Sequence, residues 1–385
     1  MIDKRQTCII IGAGCAGSAC ARALADAGFS DIRLIERRSG PGGNAYDRLD
    51  EHGVLIHPFG PHIFHTADRR AYDLVSRFAR LNGYQHTVVA KVGDLELPVP
   101  FNLHSLALAF PDQQVAMRQA LIDRYGLGSR VSIVDLRRSD DSRLAQLADY
   151  VYDNVFKVYT RKQWGTEQVD PAVLARVPVL VAEDDRYFQD PWQGLPEQGY
   201  TAMFTRMLDH PAIHRVTGDG RDLLQLGEGV IYFDGHPFAG PVVYTGALDE
   251  LFGYRLGPLP YRTLDIVFRH YDADRVQSHG TVNYTVDQDY TRITEFKHMT
   301  LQRITGTTTA AEYPKAYRPG AGQDPYYPIA SRESADLFAR YRQLAAGYPR
   351  LLLAGRLAEY RYYNMDAALV RGLQTAQAIQ QEDGQ

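Results

Sequence analysis

Thr7-Cys8-Ile9-Ile10-Ile11-Gly12-Ala13-Gly14-Cys15-Ala16-Gly17 is the stretch whose reading sets the fold. Its uncharged opening, ending in three isoleucines, predicts a buried parallel strand over residues 7–11, and residues 13–27 then read as an alanine-rich helix stopped by Gly28. A second strand over Asp31–Glu36 completes a β-α-β unit. Gly12, Gly14 and Gly17 spell G-x-G-x-x-G between that strand and that helix, the setting in which the motif carries meaning. Glycines there let the backbone approach a pyrophosphate at the helix N-terminus, with Ala16 in the same turn. Glu36, closing the second strand, can take both ribose hydroxyls, and Arg37 follows it. A carboxylate at that point disfavours a 2′-phosphate, and with it NADP.

Beyond Glu36, Gly42-Gly43-Asn44-Ala45 supplies a second flexible loop carrying a side-chain amide. A simple NAD site does not need it, whereas a flavin ring beyond the pyrophosphate needs backbone passing close by, so FAD is favoured over NAD. A structural turn is the alternative account.

Outward from this unit the patterning changes twice. Residues from about 103 to 183 show helical periodicity with charged faces, as in Gln114–Tyr125 and Arg143–Thr160. From about 230 to 300 short β-branched and aromatic runs take over: Val230–Phe233, Thr263–Arg269 and Thr291–Phe296. The chain then returns to its opening style, with an apolar strand over Leu351–Ala354 and a helix over about 365–380. The expected fold class is α/β with α+β insertions. A discontinuous Rossmann-like domain is expected from 1–85, 198–249 and 335–385, and a helical bundle from 103–183. An antiparallel sheet domain is expected from 86–102, 184–197 and 250–334.

The chain has 385 residues, 45% of them hydrophobic, enough for two or three domains with a sizeable core. A formal charge of −4 leaves no global positive field for nucleic acid or an anionic membrane, so an anionic ligand must be met locally. No run of apolar residues is long enough to span a bilayer. Three cysteines, Cys8, Cys15 and Cys20, are too few and too close for a disulfide framework, which fits a reducing cytoplasm. Lys4 and Arg5 ahead of an apolar stretch imitate a signal peptide, but Gly12, Gly14 and Gly17 interrupt it.

Two further segments invite chemistry. His62 and His65 in Gly60-Pro61-His62-Ile63-Phe64-His65 have no carboxylate or cysteine at metal-ligand spacing, so no metal site is expected. Val158-Tyr159-Thr160-Arg161-Lys162-Gln163-Trp164 is aromatic and basic, as a nucleotide base and phosphate require, and equally fits a helix end.

Taken together these runs resemble the flavin-dependent UDP-galactopyranose mutase family. The matching stretches are Gly42–Tyr46, Gly60–Thr66, Pro100–Leu103, Tyr159–Gly165, Tyr290–Arg292, Glu295–His298 and Gly355–Tyr363, in the family's order over nearly the whole chain. The resemblance implies a redox-neutral isomerisation between UDP-galactopyranose and UDP-galactofuranose on reduced FAD. In that family flavin N5 attacks the anomeric carbon and expels the nucleoside diphosphate, and the sugar recloses through its other hydroxyl. It further implies a nucleotide-sugar substrate, an external reductant such as NAD(P)H, and a homodimer. Arg176 and Arg292 match two diphosphate-binding arginines and Arg262 a third near the sugar. Tyr187, Tyr313 and Tyr362 match phosphate-bonding tyrosines, and Asn283 a polar contact. Tyr159 with Trp164 matches the aromatic wall of the nucleotide site, Thr160 a substrate-binding position between them, and His86 a polar position near substrate. His62, Ile63 and His65 match the loop beside the flavin, with Gly43, Asn44, Ala45, Arg356, Asn364 and Met365 also facing the cofactor. Residues 165–183 match a mobile loop that closes over substrate.

Asn364 stands where the family usually has aspartate, and losing a carboxylate beside a reduced ring should raise the flavin potential relative to Asn364→Asp. Val155 and Phe156 depart from the usual uracil-side pair. Related sugars remain open: a dTDP-fucose or UDP-N-acetylgalactosamine substrate. So do an ordinary flavin oxidoreductase, and a nucleotide-sugar-binding protein that has lost catalysis.

Overall fold

A computed structural model describes residues 6–165, 178–286 and 288–381. β1 (Cys8–Ile11) and β2 (Ile32–Glu36) flank α1 (Cys15–Asp26), as the sequence pattern requires. Gly28, at φ +91°, takes the left-handed turn that ends the helix region. β1 and β2 belong to a five-stranded parallel sheet in the order Ile213–Thr217, β2, β1, Val242–Tyr244, Leu351–Leu353. Strands from the beginning, middle and end of the described chain therefore lie side by side. Ile9 and Ile10 point to opposite faces and both are fully buried, because helices and loops cover the sheet on either side. Each such side chain contributes roughly 1.5–3 kcal/mol of apolar burial.

The last helix, Met365–Gln381, lies against α1. Their approach depends on Gly372, where an added Cβ would come within 2.9 Å of the Ala19 side chain and meet the Ala16 carbonyl. This packing carries the start of the last helix, Met365, to the mouth of the glycine-rich turn.

A second sheet has seven strands in the order Tyr327–Pro328, Tyr261–Tyr271, Thr307–Ala316, Arg292–Glu295, Thr281–Tyr284, Val88–Val92, Leu95–Val99. The sequence suggested an antiparallel sheet, and the structure corrects this to a mixed one, since Thr281–Tyr284 runs parallel to Val88–Val92. The reason is topological: these strands are far apart in sequence, so no tight hairpin fixes their relative direction.

Helices between 103 and 164 pack around a core of Leu106, Met117, Leu121, Leu144 and Leu147. The single helix expected over Arg143–Thr160 is instead Ser142–Tyr150, a wide π turn over Val151–Phe156, and Lys157–Trp164. Asn154 Nδ2 donates to the Tyr150 carbonyl at 3.0 Å, satisfying with a side chain a group that regular helix would have bonded with backbone.

Candidate functional site

Two adjoining cavities lie where the parallel sheet meets the seven-stranded sheet. The first runs along the carboxyl ends of β1 and β2, the usual ligand position in such sheets. Gly12 has φ +101°, and a side chain there would drive into Thr245 Oγ1. The Gly43 Cα lies 3.7 Å from where a Gly14 Cβ would sit, and the Gly42 amide donates to the Ala13 carbonyl at 2.8 Å. The two glycine loops thus meet backbone to backbone and leave an open cradle. Gly14 caps α1 without a side-chain bond and no carboxylate occupies the first turn, so the leading amides of α1 are available to an anion.

Glu36 accepts from the Ala13 amide at 2.7 Å and the Arg38 amide at 2.9 Å, which fixes its carboxylate at the end of β2. Arg37 pairs with Asp324 at 2.8 Å on the rim. Ala16, Gly17 and Ala45 complete the wall. These residues fit a long dinucleotide: amides for a pyrophosphate, a carboxylate for a ribose, and a groove with an empty volume of about 1260 Å³.

The second cavity opens from the far end of the first, and the two share Asn44, His62, Tyr326, Arg356, Asn364 and Met365. Its described walls hold Arg292 and Arg356 but no carboxylate, so it offers an anion two guanidinium groups. Arg292 Nε stands 2.8 Å from Glu312 Oε1, an ion pair whose atoms are out of line for a hydrogen bond. Deep burial is the largest single influence and works against the guanidinium, but the Glu312 charge, joined by the smaller influence of the groups around it, more than offsets burial and keeps the arginine charged. Arg356 donates to the Tyr363 carbonyl at 2.8 Å and lies 4.8 Å from the Tyr362 ring centre.

The histidines here have defined states. The His62 amide donates to His57 Nδ1 at 3.0 Å, and His62 Nδ1 lies 2.8 Å from the Gly60 carbonyl. A carbonyl only accepts, so His62 carries its proton on Nδ1 and presents Nε2 as an acceptor. Seclusion from bulk water pushes the His62 pKa down to about 3, helped by nearby His57, Arg356 and Arg292. His86 is likewise pushed to about 3 by burial, with Arg292 and His65 adding to the shift. Both are neutral at physiological pH. His65 stacks on Phe188 at 3.5 Å between ring centres, and its Nδ1 meets Asp190 at 2.6 Å, which fixes the ring's orientation.

The cavity wall also gathers Tyr159, Tyr187, Asn283, Tyr362 and Ile63 from the sequence-derived set. Burial raises the Tyr159 pKa and takes Tyr327 to about 12, so both keep their protons as hydrogen-bond donors. Other members of that set fall elsewhere. Thr160 is buried outside both cavities. Tyr313 lies off the wall with its ring 5.8 Å from Tyr290. Arg262 is also off the wall: its guanidinium donates to the Gln163 carbonyl at 3.0 Å and the Lys162 carbonyl at 3.2 Å, satisfying the end of the Lys157–Trp164 helix. Arg176 and loop residues 166–177 lie outside the described residues, as does the Trp164 side chain.

Sequence reading missed Tyr326, Tyr327, Phe188 and Arg38. Arg38 lies 3.8 Å above Phe59 and donates to Asn44 Oδ1 at 3.1 Å. The tyrosine pair had a visible signal: it is set between Pro325 and Pro328, which favour an extended segment with both rings held to one place.

Residues 154–362 match the family described as UDP-galactopyranose mutase, and residues 10–78 match an NAD(P)-binding Rossmann-like domain. A UDP-galactopyranose mutase of Mycoplasma pneumoniae is 34% identical over 383 residues, covering 97% of this chain and 96% of the relative. The chain belongs to the UDP-galactopyranose mutase family. That membership makes it an enzyme of the isomerase class. A dTDP-fucopyranose mutase of Escherichia coli in the same similarity range is 31% identical, with 96% of this chain and 97% of that protein covered. Among solved structures, reduced UDP-galactopyranose mutase superposes with a TM-score of 0.71 at 16% identity, covering 99% of this chain and 96% of that one. A putrescine oxidase superposes with a TM-score of 0.52 at 14% identity over 97% of this chain and 98% of that one, so the fold is shared with that oxidase. No helix among the described residues is long and apolar enough to cross a membrane.

Proposed function

We propose that this chain interconverts UDP-galactopyranose and UDP-galactofuranose, with FAD in the first cavity and the nucleotide sugar in the second. The observation that carries the reading is the shared wall of six residues, which brings the end of the glycine-lined groove directly onto a chamber walled by two arginines. When bound and reduced, FAD supplies the nucleophile toward the anomeric carbon.

The chain's own residues do the rest. The α1 amides, Gly12, Gly14 and Glu36 hold the dinucleotide; Asn44, His62, Asn364 and Met365 border its ring end. Arg292, fixed by Glu312, holds the diphosphate through its departure and return, with Arg176 proposed as its partner. Tyr187, Tyr327 and Tyr362 line the same chamber as hydroxyl donors. His62 Nε2 accepts a hydrogen bond, and with a pKa near 3 the ring does not exchange protons with the sugar near neutral pH. Phe188 and Phe59 exclude water from a reactive sugar.

Anaerobic incubation of dithionite-reduced protein with UDP-galactofuranose, against oxidised protein, tests this. Conversion to the pyranose in the reduced sample alone is the expected result. A reduced, FAD-loaded and UDP-binding protein that leaves the sugar unchanged overturns it. The similarity to a dTDP-fucopyranose mutase supports a second reading, tested by running dTDP-fucofuranose in parallel.

A further inference from the structure

Three histidines border the second cavity, and their partners differ in charge. His62 Nδ1 meets a carbonyl at 2.8 Å and His86 Nδ1 a tyrosine hydroxyl at 3.1 Å. With pKa values pushed down to about 3, chiefly by burial, both rings stay neutral at physiological pH. Among these three, His65 alone meets a carboxylate: its Nδ1 lies 2.6 Å from Asp190 Oδ2.

The backbone explains how that pair is held. His65 lies in the short strand Phe64–Thr66, which pairs antiparallel with Trp192–Gly194 and sets His65 opposite Gln193. Phe188 and Asp190 come just ahead of the partner strand. One segment therefore supplies both the aromatic plate 3.5 Å from the ring's face and the carboxylate at its edge. A carboxylate only accepts, so Nδ1 carries a proton, and no hydrogen bond reaches Nε2 among the described residues. The pair can exist as a neutral ring beside a carboxylate or as an ion pair, so Nε2 can take a proton and give it back. Of the other charged and titratable groups nearby, His86 is neutral and acts with Arg292 on the cavity side. Asp366, from the last helix, accepts from Thr66, which alternation puts on the other face of the strand.

Interconverting two ring forms of a sugar needs a group of this kind. When the pyranose opens, the C1–O5 bond breaks, its electron pair goes to O5, and O5 takes up a proton. When the furanose closes, O4 gives an electron pair to C1 and its hydroxyl releases a proton. One proton is taken up and one released, so a single acid–base group is reset within each turnover.

We propose that His65 Nε2 carries this proton between the two sugar oxygens, with Asp190 as the positioning residue that orients the ring. This role rests on the reading of the second cavity as the sugar's chamber. The protonated ring gives its Nε2 proton to O5 as the pyranose opens and takes the O4 proton as the furanose closes, and the reverse reaction runs the same steps backwards. Departure and return of the diphosphate need no such proton, because arginine meets that charge.

A measurement that separates the two stages tests the relay. In UDP-galactose with heavy oxygen between C1 and the β-phosphate, loss and return of the diphosphate scrambles the label without opening the ring. Reduced, flavin-loaded wild type, His65→Gln and Asp190→Asn are compared for scrambling and for conversion of UDP-galactofuranose, with the dTDP-fucose pair run in parallel. His65→Gln should convert at least about a hundredfold more slowly, while scrambling, flavin content and UDP affinity stay within about threefold. Asp190→Asn should convert about tenfold more slowly, and its activity should fall off at a lower pH than that of the wild type, because the protonated ring has lost its counter-charge. A merely structural aspartate would leave that pH profile in place. Scrambling and conversion lost equally in His65→Gln, or conversion retained, overturns the relay, as does an Asp190→Asn profile that superposes on the wild type. A UDP-binding wild type that converts neither sugar overturns the reading of the chamber, and the relay with it.

Discussion

The two cavities differ in how the chain builds them. The first is centred on one local unit: β1, the glycine turn, α1, β2 and the loop at Gly42–Ala45 fall within the first part of the chain, and residues from 219–250, 325–326 and 355–368 complete its walls. The second draws Asn44, His65, His86, Tyr159, Tyr187, Asn283, Arg292, Tyr327 and Tyr362 from segments that share only their position in space. A local site rests on backbone conformation, so its weak points are glycines. A dispersed site rests on buried charge and packing, so its weak point is the Arg292–Glu312 pair.

The largest effect expected is therefore at Arg292. Arg292→Met leaves Glu312, 1% exposed, as an unpaired buried carboxylate, and should cost about 3–5 kcal/mol in denaturant unfolding together with UDP binding. Adding Glu312→Gln should restore most of the stability but not the UDP affinity. Flavin content should survive in the double variant, and its loss would break the division between the cavities.

Next come the glycines. Gly17→Ala puts a Cβ against the Gly12 carbonyl, within 3.3 Å of Ile10 Cγ2, and should separate α1 from β1 at a cost of about 1–3 kcal/mol with loss of flavin. Gly14→Ala meets only the Gly43 Cα at 3.7 Å, so the fold should stand while the cradle fills. Flavin absorbance against unfolding midpoint separates these outcomes, and equal behaviour of the two variants would show that the cradle is not where flavin binds.

Acid should weaken the histidine side of the second cavity. His57, His62 and His86 sit at about 3 in the fold against 6.5 when exposed. Between those values the unfolded chain binds more protons, so their stabilisation is complete above about pH 6.5 and drains away as pH falls toward 3. Each contributes up to about 1.4 kcal/mol per pH unit. His86→Asn should flatten the acid limb of stability by one proton; an unchanged slope would mean that His86 is already solvated.

The smallest effect sharpens the boundary of the site. Tyr313→Phe, off the cavity wall, should change stability and UDP affinity by less than about 0.5 kcal/mol. Tyr327→Phe, on the wall, should weaken UDP by about 0.5–1.5 kcal/mol in calorimetric titration.

These contrasts also explain what was legible. The β1-α1-β2 unit was readable almost to the residue, as were Gln114–Tyr125 and Val230–Phe233. Periodicity and glycine spacing are local signals, and these elements obey them. The helix expected over Arg143–Thr160 is interrupted by the π turn at Val151–Phe156, where backbone bonding widens and the Asn154 side chain bonds the Tyr150 carbonyl, details that periodicity does not register. Tyr313 and the Tyr326–Tyr327 pair lie close in sequence but on opposite sides of the strand Tyr261–Tyr271, and only strand pairing decides which rings reach the cavity. The resemblance places Arg262 near the sugar; an arginine's type is visible in sequence but its partner is not, and here the partner is a helix end.

By itself the sequence determined the glycine-lined cradle, the carboxylate that closes β2 beside it and the order of α/β, helical and sheet-rich stretches, because those depend on neighbours a few residues apart. Tertiary structure alone decided which arginine is pinned by a buried glutamate, which tyrosines form the wall, and which histidine meets a carboxylate. Those outcomes depend on pairings between strands tens to hundreds of residues apart, whose register no local pattern contains.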